Sequence, residues 1–325
     1  MSLDFFMVMS NLISLFALIA VGYVAVRSGI LKENASSYFS SLLMKITLPC
    51  TIFISLAQKE YDNTSLIEDG VIPPFIHDSL IIIAAGFVVF TAMLYLSRYI
   101  AGILGVNKSY RGVWAFASTF TNSGFMGFPI CLALFGAEGL ALSVMLNIVF
   151  NLTVFTLGAI EVSRDNPAGD SGKIDMKSII FSNINIAIVL SLIFYLGRIP
   201  LPSMIATPIT YLSGITTPLS MMIIGIALAR ETGVELFTSK DAWLSTFMSL
   251  IVYPAALCSL LRFVPLGDNP LIAAVLIIIV AMPSASITAA ICDTYNGDMN
   301  FAAKVMFLQN LLCIFSIPLV CMILP

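Results

Sequence analysis

The chain has 325 residues, of which 59% are hydrophobic and only 10% charged, against roughly 25% charged in soluble domains. With a mean hydropathy of +1.01, it carries more apolar surface than a water-soluble core can bury, which places it in a lipid bilayer. The net charge of -3 and 15 scattered basic residues exclude the concentrated basic footprint of a nucleic-acid binder.

A membrane-crossing helix needs about 20 apolar residues, and this ruler predicts ten spans: 5–26, 38–57, 76–97, 111–135, 139–162, 179–197, 205–229, 242–263, 270–292 and 300–323. The first lacks a basic leader or an A-x-A site and reads as a retained span. The stretch RDNPAGDSGKIDMK, from Arg164 to Lys177, has the Pro, Gly, Asp and Ser content of a linker. It divides the chain into a first five-span half (1–163), a linker (164–178) and a second half (179–325). Five is odd, so two similar halves insert in opposite orientations, as an inverted repeat. In support, KITLPCTIFISLA (45–57) and GITTPLSMMIIGIAL (214–228) occupy corresponding spans, and LFGAEGLALSVM (134–145) corresponds in position to TYNGDMNFAAKVM (294–306).

With the first loop placed in the cytoplasm, Arg27, Lys32, Lys45, Arg98, Lys108, Arg111, Arg164, Lys173, Lys177, Arg230, Lys240 and Lys304 fall inside. Only Lys59, Arg198 and Arg262 fall outside. This is the asymmetry of the positive-inside rule and predicts both termini outside. The acidic stretch with Glu60, Asp62, Glu68, Asp69 and Asp78 then also lies outside.

Two spans are interrupted at mid-depth. NSGFMGFP (122–129) carries Asn122, Ser123, Gly124, Gly127 and Pro129; AMPSAS (281–286) carries Pro283, Ser284 and Ser286, with Thr288 just beyond. Proline removes a backbone donor, glycine weakens a helix, and lipid cannot satisfy the freed polar groups. Such backbone survives only against protein or a polar cavity, and one broken span per half points to a transporter. Half-helices starting near Pro129 and Pro283 would aim free amides and positive dipole ends at an anion from two directions. Asn122, Ser123, Ser284, Ser286 and Thr288 are the candidate side-chain donors. Asn147 and Asn151 on span five, with Gln309 and Asn310 on span ten, read as interhelical hydrogen-bonding groups. Lys45 is long enough to snorkel to the inner surface. Pro49, with Thr51 beside it, and Pro218 read as bends.

The six cysteines all fall in apolar segments without metal-ligand spacing and read as small buried hydrophobes. The one histidine, His77, lies at an outer loop edge, and no hydrolase or metalloprotease motif is present. An enzyme is not expected, and neither a cofactor nor a bound metal. No acidic residue sits at mid-membrane to relay protons, so proton or sodium coupling has no located site.

LPCTIFISLA, FTNSGFMGFPICLALFG, TPLSMMIIGIAL and AMPSASITAAICDTYNGD, in this order and spacing, resemble the auxin efflux carrier family, which includes plant PIN-type carriers and bacterial malonate or malate permeases. The resemblance covers essentially the whole chain. It implies an all-α polytopic membrane protein with ten transmembrane helices in two inverted five-helix repeats. Helices four and nine would be broken and cross at prolines, mapping onto Pro129 and Pro283. A small carboxylate would bind near that crossing, with Asn122 as the nearest polar group. The short central linker is closer to the bacterial organic-acid permeases than to the long-looped plant carriers. The implied partners are the carboxylate and the lipid bilayer; a homodimer is compatible with the chain. A sodium-coupled symporter of the bile-acid type and a transporter-like sensor are the competing readings.

Overall fold

The computed structural model describes residues 5–32, 35–57, 74–165, 183–197, 199–230, 237–285 and 287–324. Most of the acidic outer stretch, most of the linker, and Ser286 therefore lie outside the described residues. Among the described residues there is no β-strand, and the chain is a helical bundle. Its helices are α1 (Phe5–Arg27), α2 (Ala35–Leu42), α3 (Leu48–Ala57), α4 (Pro74–Ile103), α5 (Arg111–Thr119), α6 (Phe128–Thr153) and α7 (Ala159–Ser163). They continue with α8 (Asn183–Leu196), α9 (Ser203–Arg230), α10 (Lys240–Phe247), α11 (Tyr253–Phe263), α12 (Pro270–Val280), α13 (Ile287–Thr294) and α14 (Met299–Ile323).

By length and composition, six helical runs among the described residues are long and apolar enough to cross a bilayer: Ala35–Ser55, Pro74–Ile103, Ser123–Ser163, Ser203–Ala229, Lys240–Phe263 and Met299–Ile323. Leu12–Arg27, Asn183–Leu196 and Pro270–Val280 are shorter apolar helices. The run from Ser123 to Ser163 is kinked at Gly136, whose φ of 68° and ψ of -161° belong to a region that only glycine enters freely. The kink falls within residues 136–138, where the sequence leads one to expect a connection between two spans.

Three prolines share one local solution. A wide, π-helical turn spans Leu43–Thr47 before Pro49, Ser123–Gly127 before Pro129, and Met248–Val252 before Pro254. In each case the turn begins six residues ahead of the proline. Proline has no N–H for the carbonyl four residues back, and its ring crowds that carbonyl. Opening the preceding turn to i→i+5 bonding relieves the crowding: the N–H groups of Leu48, Phe128 and Tyr253 donate five residues back, to Leu43, Ser123 and Met248. Pro208 and Pro218, by contrast, lie inside one helical run in α9.

The prolines also separate the two breaks. The second break, between α12 and α13, contains Pro283. The first does not contain Pro129: α5 stops at Thr119, Phe120 is extended (φ -93°, ψ 109°), and the chain re-enters helical geometry at Ser123. The expected start of a half-helix at Pro129 therefore moves to Asn122, whose side-chain oxygen accepts the Phe125 N–H at 3.2 Å as a cap.

Packing concentrates around α12, where every residue from Leu271 to Val280 is buried. α1 lies against α9 through Gly22 and Gly225, where an added Cβ would strike the facing backbone at Met222 and Ile19. The Thr51 and Thr216 hydroxyls, 2.6 Å apart, tie α3 to α9. At one end of the bundle, buried Asp165 accepts the Gly112 and Val113 N–H groups that open α5. Arg98 of α4 pairs with buried Glu161 of α7 and lies 4.0 Å from Asp165, and Arg164 pairs with Glu161 at 2.8 Å. This network fixes where the first broken helix starts.

Candidate functional site

The two interrupted segments meet. Thr121 and Ser284 form an isolated antiparallel bridge, flanked by Asn122 N–H to Pro283 C=O at 2.7 Å and Ala285 N–H to Phe120 C=O at 3.1 Å. Each extended break thus satisfies backbone groups of the other, which neither lipid nor a continuous helix would.

Side chains complete the accounting. The Thr121 hydroxyl donates to the Ile279 carbonyl at 2.6 Å, near the end of α12. Gln309 of α14 accepts the Ser284 N–H at 2.6 Å and donates through Nε2 to the Ala117 carbonyl at 3.3 Å, near the end of α5. Each half-helix that ends at the crossing therefore has a carbonyl bonded by a side chain from another segment. Ser123 Oγ donates to Asn147 Oδ1 at 3.0 Å, and the hydroxyls of Ser284 and Thr288 bond each other at 2.9 Å.

Two cavities flank this crossing. The smaller, about 120 Å³, is lined by Thr121, Asn122, Ser123, Gly124, Asn147 and Asn151, with Ala285 and Ile287 from the second break. The larger, about 280 Å³, lies between Ile223, Ile224 and Leu228 of α9 and Met306, Phe307 and Asn310 of α14. Asn122 and Phe125 line both. No Lys, Arg, His, Asp or Glu is among the described residues lining either cavity. Polarity comes from amides, hydroxyls and the first residues of two helices, which carry the positive ends of their dipoles.

The expected site residues divide accordingly. Asn122, Ser123, Gly124, Asn147 and Asn151 come together around the smaller cavity, and Asn310 joins Asn122 in the larger. Pro283, Ser284, Thr288 and Gln309 build the crossing but line neither cavity. Pro129 is buried inside α6 and also lines neither. Gly127 faces Ile279, 2.5 Å from where its Cβ would stand, and is a packing position. Lys45 is exposed. Pro49 and Pro218 are half-buried on α3 and α9, the helices joined by Thr51.

Thr121 and Phe125 belong to the site without having been singled out. A polar residue immediately before the capping Asn is a sequence signal for the first; the second has none, because Phe125 resembles its apolar neighbours. Asp165 and Glu161 were also missed. Burial raises the Asp165 carboxyl above its ordinary value, Glu161 adding to the rise, against the Gly112 and Val113 N–H groups and Arg98.

The membrane transport protein family matches residues 7–321. An uncharacterized transporter from Methanothermobacter thermautotrophicus is 26% identical over 313 residues, covering 95% of this chain and 96% of the relative. An uncharacterized transporter from Methanocaldococcus jannaschii is 26% identical over 301 residues, covering 90% and 91% respectively. Together with two interrupted spans that meet inside an apolar bundle, this coverage settles the kinship: the chain belongs to the membrane transport protein family, that of the auxin efflux carriers.

Proposed function

We propose that this transporter moves small organic anions, carboxylates, by alternating access at the crossing of its two broken helices. The observation that carries the reading is the bridge between Thr121 and Ser284 with a cavity beside it into which three asparagines bring polar groups among apolar neighbours. Ten spans in two inverted halves, 1–163 and 179–325 around the linker 164–178, bring helix starts at Ser123 and Ile287 to that cavity from opposite directions. An anion there meets the Gly124 N–H and the side-chain amides of Asn122 and Asn147, the latter oriented by Ser123, without a competing carboxylate. Ser286 belongs to the same break, and Ser284 and Thr288 act as supports.

The grouping of helices supports a rocking motion. α1, α3, α8 and α9 hold one another through the Gly22–Gly225 contact, the Thr51–Thr216 pair and the edge-on rings of Phe53 and Phe194, 5.2 Å apart. The larger cavity lies where α9 faces the crossing group. The excess of Lys and Arg on one side supports a cytoplasmic placement of the basic connections with both termini outside, in the plasma membrane, the bacterial inner membrane for a bacterial chain.

The test is flux from proteoliposomes of malonate, malate, longer dicarboxylates and indole acetate, with potential and sodium and proton gradients set independently. Saturable flux of at least one acid is the predicted result. Binding without flux would favour a sensor, and strict sodium dependence a symporter of the bile-acid type.

A further inference from the structure

We infer that Phe125 is the partition between the two cavities and sets the upper size of the molecule that the crossing accepts. The inference rests on the reading that these cavities are the substrate path, and it assigns a specificity determinant within them.

Five observations place the ring. Phe125 and Asn122 are the residues common to both linings, but Asn122 is bound into the crossing by its N–H and into its own turn by its carbonyl, which leaves the Phe125 ring as the bulk between the chambers. Its backbone is fixed at the front, where its N–H is held by Asn122 Oδ1 at 3.2 Å. The turn is fixed at the back, where Gly127 sits so close to Ile279 of buried α12 that a Cβ there would come within 2.5 Å. The residue before it, Gly124, has open space where a side chain would stand, so Phe125 is the first bulky group met along the turn. Pro129 forces the same turn to be π-helical and so sets the direction in which residue 125 projects.

The volumes give the consequence. A cavity of about 120 Å³ is slightly smaller than the roughly 150 Å³ apolar cavity that takes up benzene, so it accommodates a short acid and little more. Removing the Phe125 ring joins it to the chamber of about 280 Å³, whose lining is largely apolar. Acids with a longer or bulkier tail then fit with the carboxylate still beside Asn122.

The experiment is competitive flux in proteoliposomes of wild type, Phe125→Ala, Phe125→Leu and Phe125→Trp, across a homologous series of carboxylates of increasing chain length and branching. Melting temperatures are measured alongside to confirm folding. The inference predicts that Phe125→Ala raises the flux ratio of the longest to the shortest acid by at least about tenfold, the discrimination typical of a pocket contact. Phe125→Leu shifts it less, and Phe125→Trp shortens the series. If Phe125→Ala does not fold, the opposite shifts of the Leu and Trp variants decide. Wild-type flux with an unchanged length profile in the variants overturns this inference and leaves the proposed function standing. Absence of flux of every acid in the wild type overturns both.

Discussion

Gln309 is the side chain on which the crossing depends most, and replacing it by methionine tests that dependence with little change of shape. Gln309, Ser284 and Ala117 are all fully buried, so no solvent replaces a lost bond. Gln309→Met leaves the Ser284 N–H and the Ala117 carbonyl without the partner they have at 2.6 and 3.3 Å. A buried backbone group left unpaired costs about 1–3 kcal/mol, so the pair costs about 2–6 kcal/mol, towards the lower end because the Ala117 bond is long. Asn310, the next residue, is the internal control: half-buried, it donates to Met306 of its own helix, and Asn310→Ala should cost no more than about 1 kcal/mol. Chemical and thermal unfolding in detergent micelles measures both. A Gln309→Met protein within about 0.5 kcal/mol of wild type, or an Asn310→Ala protein equally destabilised, would refute the reasoning that the crossing is held by side-chain capping of its broken ends.

Other outcomes follow from the same structure. Gly225→Ala brings a Cβ inside contact distance of the Ile19 carbonyl oxygen, and since backbone cannot yield as a side chain does, a loss of about 1–3 kcal/mol is expected in the same unfolding assay. For Asp165, a folded-state pKa above the unfolded one means that the native state holds the proton more tightly. Its contribution is then full below the ordinary Asp range and is lost as pH rises through the raised value. The melting temperature of wild type minus that of Asp165→Asn should therefore fall as pH rises across the acid range, and a rise would contradict the assignment. If the transported species is a monoanion without a coupled ion, an inside-negative potential of 100 mV favours its outward movement by about 2.3 kcal/mol, roughly a 50-fold gradient at equilibrium. Valinomycin-clamped liposomes would show this, and flux indifferent to potential would indicate a compensating ion.

The parts legible in the sequence are those written in local chemistry. Asn122, three residues before Phe125, has the spacing of a helix cap, and Pro283 with its serine neighbours marks a break; both lie where the two segments meet. Gly136 ends a helix by a conformation that other residues resist. Pro129 looks like a rupture in the sequence, but a π-helical turn accommodates the missing donor there, as it does at Pro49 and Pro254. The bridge between Thr121 and Ser284 joins positions far apart in the chain, and hydrophobic periodicity carries no record of such a pairing. The same holds for Arg98 with Glu161 and Asp165: each looks like an interfacial charge alone, and only packing shows that they pin the start of α5. Phe125 shows the limit most clearly, since it lines two cavities at once and no sequence pattern records the space that packing leaves.

The proposed transport requires an acid held at the crossing beside Asn122. The most direct measurement compares saturable carboxylate flux in proteoliposomes between wild type and Asn122→Ala, with the folded fraction of each determined by melting. Binding beside Asn122 predicts a folded variant whose half-saturating concentration rises by about tenfold or more, the loss expected when a hydrogen bond to a charged group is removed. A folded Asn122→Ala protein with wild-type affinity and rate would contradict it.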